Sequence, residues 1–383
     1  MKLRQGDPEE AGMSVERVRY CIDLARGWVD HVITPALVVL AARRGVTVIH
    51  EAFGRLTPEE NSPPLELDSI FHLASLTKPI TATLAMILVE DGLLGLNRPV
   101  SWYIPEFAGE GKDAVMVHHL LTHTSGLKDE DVNAHAEKKK ATVEIPPSDE
   151  TQHPLINERL FLRYDAPLWK PAGEEMHYCS YGYRLLGEII RRVSGESLQD
   201  FAQERVFEPL GMKDTFYIVP EPVMHRIVKR PEDAFNASWL NSRELQEIPS
   251  ASGGAYSTAM DMAIFGQMFL NNGVYGDNRV LSPATVAAMT RNQIPGIGAE
   301  WWGQSFPEAS WSLGWSVCDT KKSVGYAETL PSQKAFSHGG SGGVFLWMDP
   351  VYEIVGSYLS IKLSEDRFNM DLFMNAVTTA VMD

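Results

Sequence analysis

The 383-residue chain is short of cysteine, short of positive charge and without a long apolar run. Its three cysteines, Cys21, Cys179 and Cys318, are odd in number and too widely spaced for a zinc ribbon or a Cys-x-x-Cys redox pair, so reduced thiols are expected. Free cysteine behaves mainly as a small hydrophobe, and Cys179 draws interest only because it follows Tyr178. The balance of 34 Lys and Arg against 50 Asp and Glu gives a formal charge of -16, which repels a polyanion. No basic run exceeds Lys138-Lys139-Lys140, so nucleic acid is not an expected partner. Residues 1–14 mix Lys2, Arg4, Asp7, Glu9 and Glu10 with no apolar stretch behind them, and no membrane span is visible; a cytoplasmic location is the expectation. No cofactor motif stands out either. His119 and His123 have the i, i+4 spacing of a zinc helix, but the intervening residues lack the glutamate a zinc peptidase uses as base, so a structural role in a turn is expected and no metal.

What is present is a chain 44% hydrophobic, enough for a substantial core in two or three lobes. Residues 36–42 and 46–53 read as strands around the turn Arg43-Arg44-Gly45, because β-branched residues flank a short polar break ending in glycine. A second pair, 344–348 and 353–363, lies near the other end around Asp349-Pro350, and a helical segment, 366–381, follows. The expected fold is therefore α/β (α+β), with one α/β domain built discontinuously from residues 1–82 and 250–383. Between them, 79–90, 117–122, 183–193 and 198–206 carry apolar residues at helical spacing, so 83–249 is expected as a mainly helical domain. Its polar, proline-containing segment 128–153 is too long for a simple connection and is expected to form a flap.

Chemistry concentrates in three segments. Ser75-Leu76-Thr77-Lys78 stands where an apolar strand-like run gives way to a helix, and three-residue spacing makes the two polar side chains neighbours. A serine hydroxyl needs a base, and a lysine can serve if burial or positive fields disfavour its charged form. A helix N-terminus supplies such a field and offers N–H groups to an oxyanion. Taken alone the motif is also what a helix N-cap serine gives, and Ser125-Gly126-Leu127-Lys128 repeats its spacing in a turn-like context. Tyr178 stands behind a Pro-Ala-Gly turn at the start of an amphipathic helix. Third, Ser337-His338-Gly339-Gly340-Ser341-Gly342-Gly343 precedes a strand, where dense glycine marks close backbone approach and an edge on which an extended substrate could pair.

These three segments together resemble the serine β-lactamase and penicillin-recognising hydrolases, closest to class C β-lactamases and family VIII carboxylesterases. Leu120-Leu121-Thr122-His123-Thr124-Ser125-Gly126-Leu127, Pro209-Leu210-Gly211-Met212, Gly253-Gly254-Ala255-Tyr256-Ser257-Thr258 and Leu313-Gly314-Trp315 resemble that family's framework, so the likeness runs over nearly the whole chain. It implies an antiparallel sheet flanked by helices plus an inserted helical domain, with the site between them. It implies Ser75 as the acylated nucleophile, Lys78 and Tyr178 as the proton-transfer pair, and the backbone N–H groups of Ser75 and Ser341 as the oxyanion hole. Which of Lys78 and Tyr178 is the resting base stays open, since strongly coupled groups titrate as a pair. Ser180, His338, Gly339 and Gly340 are the expected substrate-binding residues, with Trp301, Trp302, Trp311 and Trp315 as candidate walls of an apolar pocket.

Two departures bear on substrate. The family's lactamase form has Asn where this chain has Ser180, and Lys where it has His338. An amide can hold a lactam's acylamino group and an ammonium its carboxylate, so a small carboxylic ester is the expected substrate. A D-amino-acid amidase or peptidase, a weak β-lactamase, an acyltransferase and a non-catalytic penicillin-binding-type sensor are the alternatives. Gly339-Gly340-Ser341-Gly342-Gly343 also satisfies Gly-x-Ser-x-Gly, but that elbow needs a later histidine, and His338 is the last in the chain.

Overall fold

A computed structural model describes residues 1–301, 304–319, 330–364 and 368–383. Its centre is a seven-stranded sheet: β1 (Arg4–Gln5), β2 (Ala36–Arg43), β3 (Val46–Gly54), β4 (Ser316–Val317), β5 (Phe336–Gly340), β6 (Val344–Asp349) and β7 (Ile354–Ser360). The spatial order is β1-β3-β2-β7-β6-β5-β4, antiparallel throughout except for the β1/β3 pair. The two ends of the chain meet at the β2/β7 pair, where Ala36–Arg43 runs against Ile354–Ser360. The β2–β3 connection is a two-residue turn with positive φ at both Arg44 and Gly45, the geometry that matches strand twist.

β2 reads as an unbroken apolar run because both faces of the sheet are covered. Leu37, Val39 and Ala41 face a layer made by α1 (Val15–Asp30) and the C-terminal helix Phe368–Thr378, with Trp28, Trp347, Tyr358 and Phe373 in contact. Val38, Leu40 and Ala42 face the opposite layer, which includes Met262, Phe265 and Phe269 of the helix Ala259–Leu270. That second apolar cluster continues through α2 (Lys78–Glu90) into the helical part of the molecule, so the sheet's inner face and the helices share one core.

The segment 128–153 contains a helix, α3 (Asp129–Lys140), whose Val132 and Ala136 are buried. It starts against the N-terminus of α4 (Ser180–Ser194), and farther along Gln152 and Asp149 bond Glu188 and Arg191 of that helix. The segment is thus tied to α4 near both of its ends, while most of the residues between stay exposed. Of the residues expected to precede a strand, 337–343, the first four belong to β5 (Phe336–Gly340); pairing with β6 overrides the poor strand propensity of Gly339 and Gly340, while β4 pairs only with Phe336 and Ser337. No helix among the described residues is long and apolar enough to cross a membrane.

Candidate active site

Ser75 lies on a 3-10 turn, Ala74–Thr77, that runs directly into α2, whose first residue is Lys78. The strand before it, Phe71–His72, is pinned antiparallel to Tyr256–Ser257, and Ala74 takes a left-handed φ of 46° that turns the chain sharply at the serine. Ser75 remains half-buried while Lys78 is wholly buried. The Lys78 ammonium position reaches Ser75 Oγ at 2.9 Å and the Ser252 carbonyl at 2.8 Å. Burial is the largest influence on this lysine and drives its pKa from 10.5 to about 7; Asp129 opposes that change and Arg184 adds to it.

Tyr178 stands between the short strand Met176–His177 and α4. Lys78 Nζ lies 4.9 Å from the centre of its ring, so Ser75, Lys78 and Tyr178 come together in one place. His123 fixes the tyrosine from behind. Its ring packs tilted against that of Tyr178, 4.3 Å between centres, its Nδ1 accepts the Cys179 N–H at 3.1 Å and its carbonyl accepts the His177 N–H at 2.9 Å. Burial, reinforced by the charges of Lys78 and His338, holds His123 well below 6.5 and hence neutral, which an accepting Nδ1 requires. Its φ of 58° shows that the turn is shaped to deliver this ring.

Asp129 caps α4: one carboxylate oxygen accepts from Ser180 N at 2.8 Å and the other from Tyr181 N at 2.9 Å. Cys179 Sγ approaches the same carboxylate at 3.5 Å, and burial keeps this thiol well above 9, so it is an inert part of the wall. All three cysteines are free and buried. The third segment closes the site from the sheet edge. A Cβ on Gly340 would lie 2.1 Å from the Leu73 carbonyl, so only glycine lets β5 approach the chain two residues ahead of Ser75. Ser341 follows at the β5–β6 turn, with Gly340 opposite Val344. His338 is buried on β5, its Nδ1 2.7 Å from the Gly339 carbonyl and its ring 6.3 Å from that of Tyr178.

Of the tryptophans, Trp311 meets the site, 5.9 Å from Tyr178 and 5.7 Å from His338 between ring centres. Trp315 does not; it packs among Phe265, Phe269 and Phe336 in the core, where an indole of its size fills space between the helix and β5. Trp302 and the Trp301 side chain lie outside the described residues. Ser341 sits at a turn between antiparallel strands with no helix after it, so the Gly-x-Ser-x-Gly match lacks the strand-to-helix elbow. His119 accepts from Met116 N and His123 from Cys179 N, and no metal-holding cluster occurs among the described residues.

Sequence reasoning passed over Asp129, Arg184 and Ser252. Ser252 abuts the motif Gly253–Thr258 and acts through its carbonyl, which any residue type carries. Asp129 was legible as a helix-cap type, but the helix it caps begins 51 residues later.

Comparison with known proteins agrees with this architecture. Penicillin-binding protein 4 of Amycolatopsis lactamdurans is 28% identical over 335 residues, covering 85% of this chain and 81% of that protein. Esterase EstB of Burkholderia gladioli is 29% identical over 363 residues, covering 86% and 89% respectively. The crystal structure of a penicillin-binding protein homologue from Caulobacter crescentus superposes with a TM-score of 0.77 at 21% identity, covering 96% of this chain and 99% of that one. The family model described as Beta-lactamase matches residues 25–378. With a match of that extent, the chain belongs to the beta-lactamase family.

Proposed function

We propose that this protein is a serine hydrolase that cleaves small carboxylic esters through an acyl-enzyme on Ser75. The observation that carries the reading is the buried Lys78, hydrogen-bonded to Ser75 Oγ at 2.9 Å and largely able to shed its proton near neutral pH. A charged lysine could only donate to the serine; a neutral one can accept its proton.

In the forward step Ser75 Oγ attacks the ester carbonyl as its proton passes to the Lys78/Tyr178 pair. The negative charge that develops on the carbonyl oxygen falls between the N–H of Ser75, in the first turn before α2, and the N–H of Ser341 at the β5–β6 turn. The C–O bond to the alcohol then breaks, and the proton held by the pair goes to the departing oxygen. Water repeats the sequence: it gives a proton to the pair, attacks the acyl carbon, and the pair returns that proton to Ser75 Oγ as the acid leaves. His338, Gly339 and Gly340 on β5 offer a substrate-facing edge, and Trp311 supplies apolar surface beside Tyr178. The 29% identity to esterase EstB supports ester over amide, as does Ser180 in place of an asparagine.

The test is peptide mapping after treatment with a fluorophosphonate, alongside turnover of a short-chain aryl ester. Label on Ser75, with Ser75→Ala folded but inactive, is the expected result. Label on Ser341, or full turnover by Ser75→Ala, refutes the reading.

A further inference from the structure

The oxyanion turn is held by a part of the chain that contributes no reacting group. Residues 230–245 run across the β5–β6 turn on one side and Ala74 on the other, and the short helix Ala237–Leu240 puts Leu240 against Ala74 and Leu245. At the start of this strap, Arg230 is only 4% exposed, and its Nη1 donates to the Gly342 carbonyl at 2.7 Å. No ion pair to Arg230 occurs among the described residues, so an arginine has been taken out of water to bind a backbone oxygen. Burial lowers its pKa to about 10, which leaves it cationic at neutral pH. Burying a charge without a carboxylate is expensive, and charge-assisted bonds to a carbonyl are among the stronger ones available to offset it.

The fit is close on every side. A Cβ on Gly342 would lie 2.6 Å from Arg230 Nη2 and 2.8 Å from Leu240 Cδ1, and the glycine has a φ of 93°. Asn241 clamps the arginine's own backbone, accepting from Arg230 N at 2.9 Å and donating to Arg230 O at 2.9 Å. Asn236, in the left-handed region at φ 56°, donates from Nδ2 to Ser341 Oγ at 3.1 Å. Two residues of the strap thus grip consecutive residues of the turn, and a third packs against the residue that precedes the nucleophile.

We infer that Arg230, assisted by Asn236, is a positioning residue that sets the Ser341 N–H against that of Ser75, so the strap determines the geometry of the oxyanion hole. This rests on the ester-hydrolase reading above, in which Ser341 N–H is an oxyanion donor. Misplaced oxyanion donors slow the chemical step while leaving ground-state binding nearly intact, which separates this role from general support of the fold.

The experiment compares wild type with Arg230→Met, Arg230→Lys and Asn236→Gly, the last chosen because glycine keeps the positive φ without strain. kcat and KM for an aryl ester are measured together with the rate of fluorophosphonate labelling at Ser75. Arg230→Met is expected to lower kcat by about 30-fold or more and slow labelling in parallel, with KM changed by less than about threefold. Arg230→Lys, which keeps a cationic donor, recovers most of the loss, and Asn236→Gly lowers kcat by roughly three- to tenfold. Wild-type rates in folded Arg230→Met, or an Arg230→Lys no better than Arg230→Met, overturn the inference. If Arg230→Met does not fold, Asn236→Gly decides, since Asn236 is exposed: unchanged kcat and labelling overturn the role of the strap. A wild-type protein that is not labelled at Ser75 overturns the ester-hydrolase reading and this one with it, whereas labelled wild type with unaffected variants overturns this one alone.

Discussion

Replacing Lys78 with methionine should stabilise the protein, and by more at pH 6 than at pH 9. The unfolded chain carries this amine at an ordinary pKa of 10.5, and the folded chain at about 7 because the side chain is wholly buried. Between those values the unfolded state binds more protons, so the penalty on folding shrinks as pH rises through that window; below 7 it is complete. At 1.36 kcal/mol per pKa unit, it amounts to roughly 5 kcal/mol at pH 6 and about 2 kcal/mol at pH 9. Methionine fills a similar volume and removes the titration, at the cost of the bonds to Ser75 Oγ and the Ser252 carbonyl, about 1 kcal/mol each. Those two bonds are lost at either pH, so the difference between the pH values should survive at about 3 kcal/mol. Urea denaturation of wild type and Lys78→Met at both pH values measures it. The same titration should give wild-type kcat/KM an acid limb near 7, through which activity rises with pH. A stabilisation equal at the two pH values, or larger at pH 9, refutes the claim that Lys78 gives up its proton near neutrality.

Asp129→Asn should move that acid limb to lower pH by about half a unit, because the carboxylate's field is what holds the Lys78 pKa up against burial; a pH profile of kcat/KM reads it, and a limb that moves upward refutes it. Asp129→Ala also loses both cap bonds to α4, at roughly 1 kcal/mol in urea denaturation. Gly340→Ala should cut kcat by roughly 100-fold, since a Cβ 2.1 Å from the Leu73 carbonyl forces β5 away from the nucleophile; a crystal structure with β5 in place and full activity counts against it.

The parts legible in the sequence were those whose signals are local. The β2–β3 hairpin announces itself by two apolar runs around Arg44-Gly45, and Ser75 and Lys78 by one turn of spacing. What the sequence concealed depends on distant pairing. β5 ends in two glycines, and that end becomes a strand only because β6 pairs along it. Segment 128–153 reads as a flap because it is long, polar and contains prolines; hidden in it is a helix whose first residue, Asp129, caps another helix 51 residues on. Arg230 has no motif at all, since its partner is a carbonyl oxygen that every residue carries. Trp311 and Trp315 differ by four positions and have opposite fates, one at the site and one in the core, because a turn at Ser312 and Gly314 separates them.

The choice between ester and lactam follows from the groups that face the site. A penicillin or cephalosporin brings a carboxylate and an acylamino group, and each needs a partner before its ring-opening step can be oriented. At the sheet edge the residue in the lysine's place is His338, its Nδ1 2.7 Å from the Gly339 carbonyl and its ring set between Trp311 and Tyr178. Two residues after Tyr178, Ser180 has its backbone N–H committed to Asp129 and a side chain too short to span to an acylamino group as an asparagine amide would. Arg230 is cationic, but it is buried behind the turn and bonded to Gly342. Lys78 is bonded to Ser75 and Ser252, so its amine is already engaged, in the proposed mechanism with the nucleophile. A short-chain aryl ester asks for none of these anchors: it needs the nucleophile, the proton-transfer pair, the oxyanion N–H groups and apolar surface such as Trp311 offers. kcat/KM for such an ester should therefore exceed that for a penicillin or cephalosporin by roughly 100-fold or more, about 2.7 kcal/mol in transition-state binding. Side-by-side kinetics under one set of conditions decide it. Lactam turnover equal to or faster than ester turnover would remove the basis for the esterase reading, and rapid cleavage of a D-amino-acid amide with poor ester turnover would transfer it to an amidase.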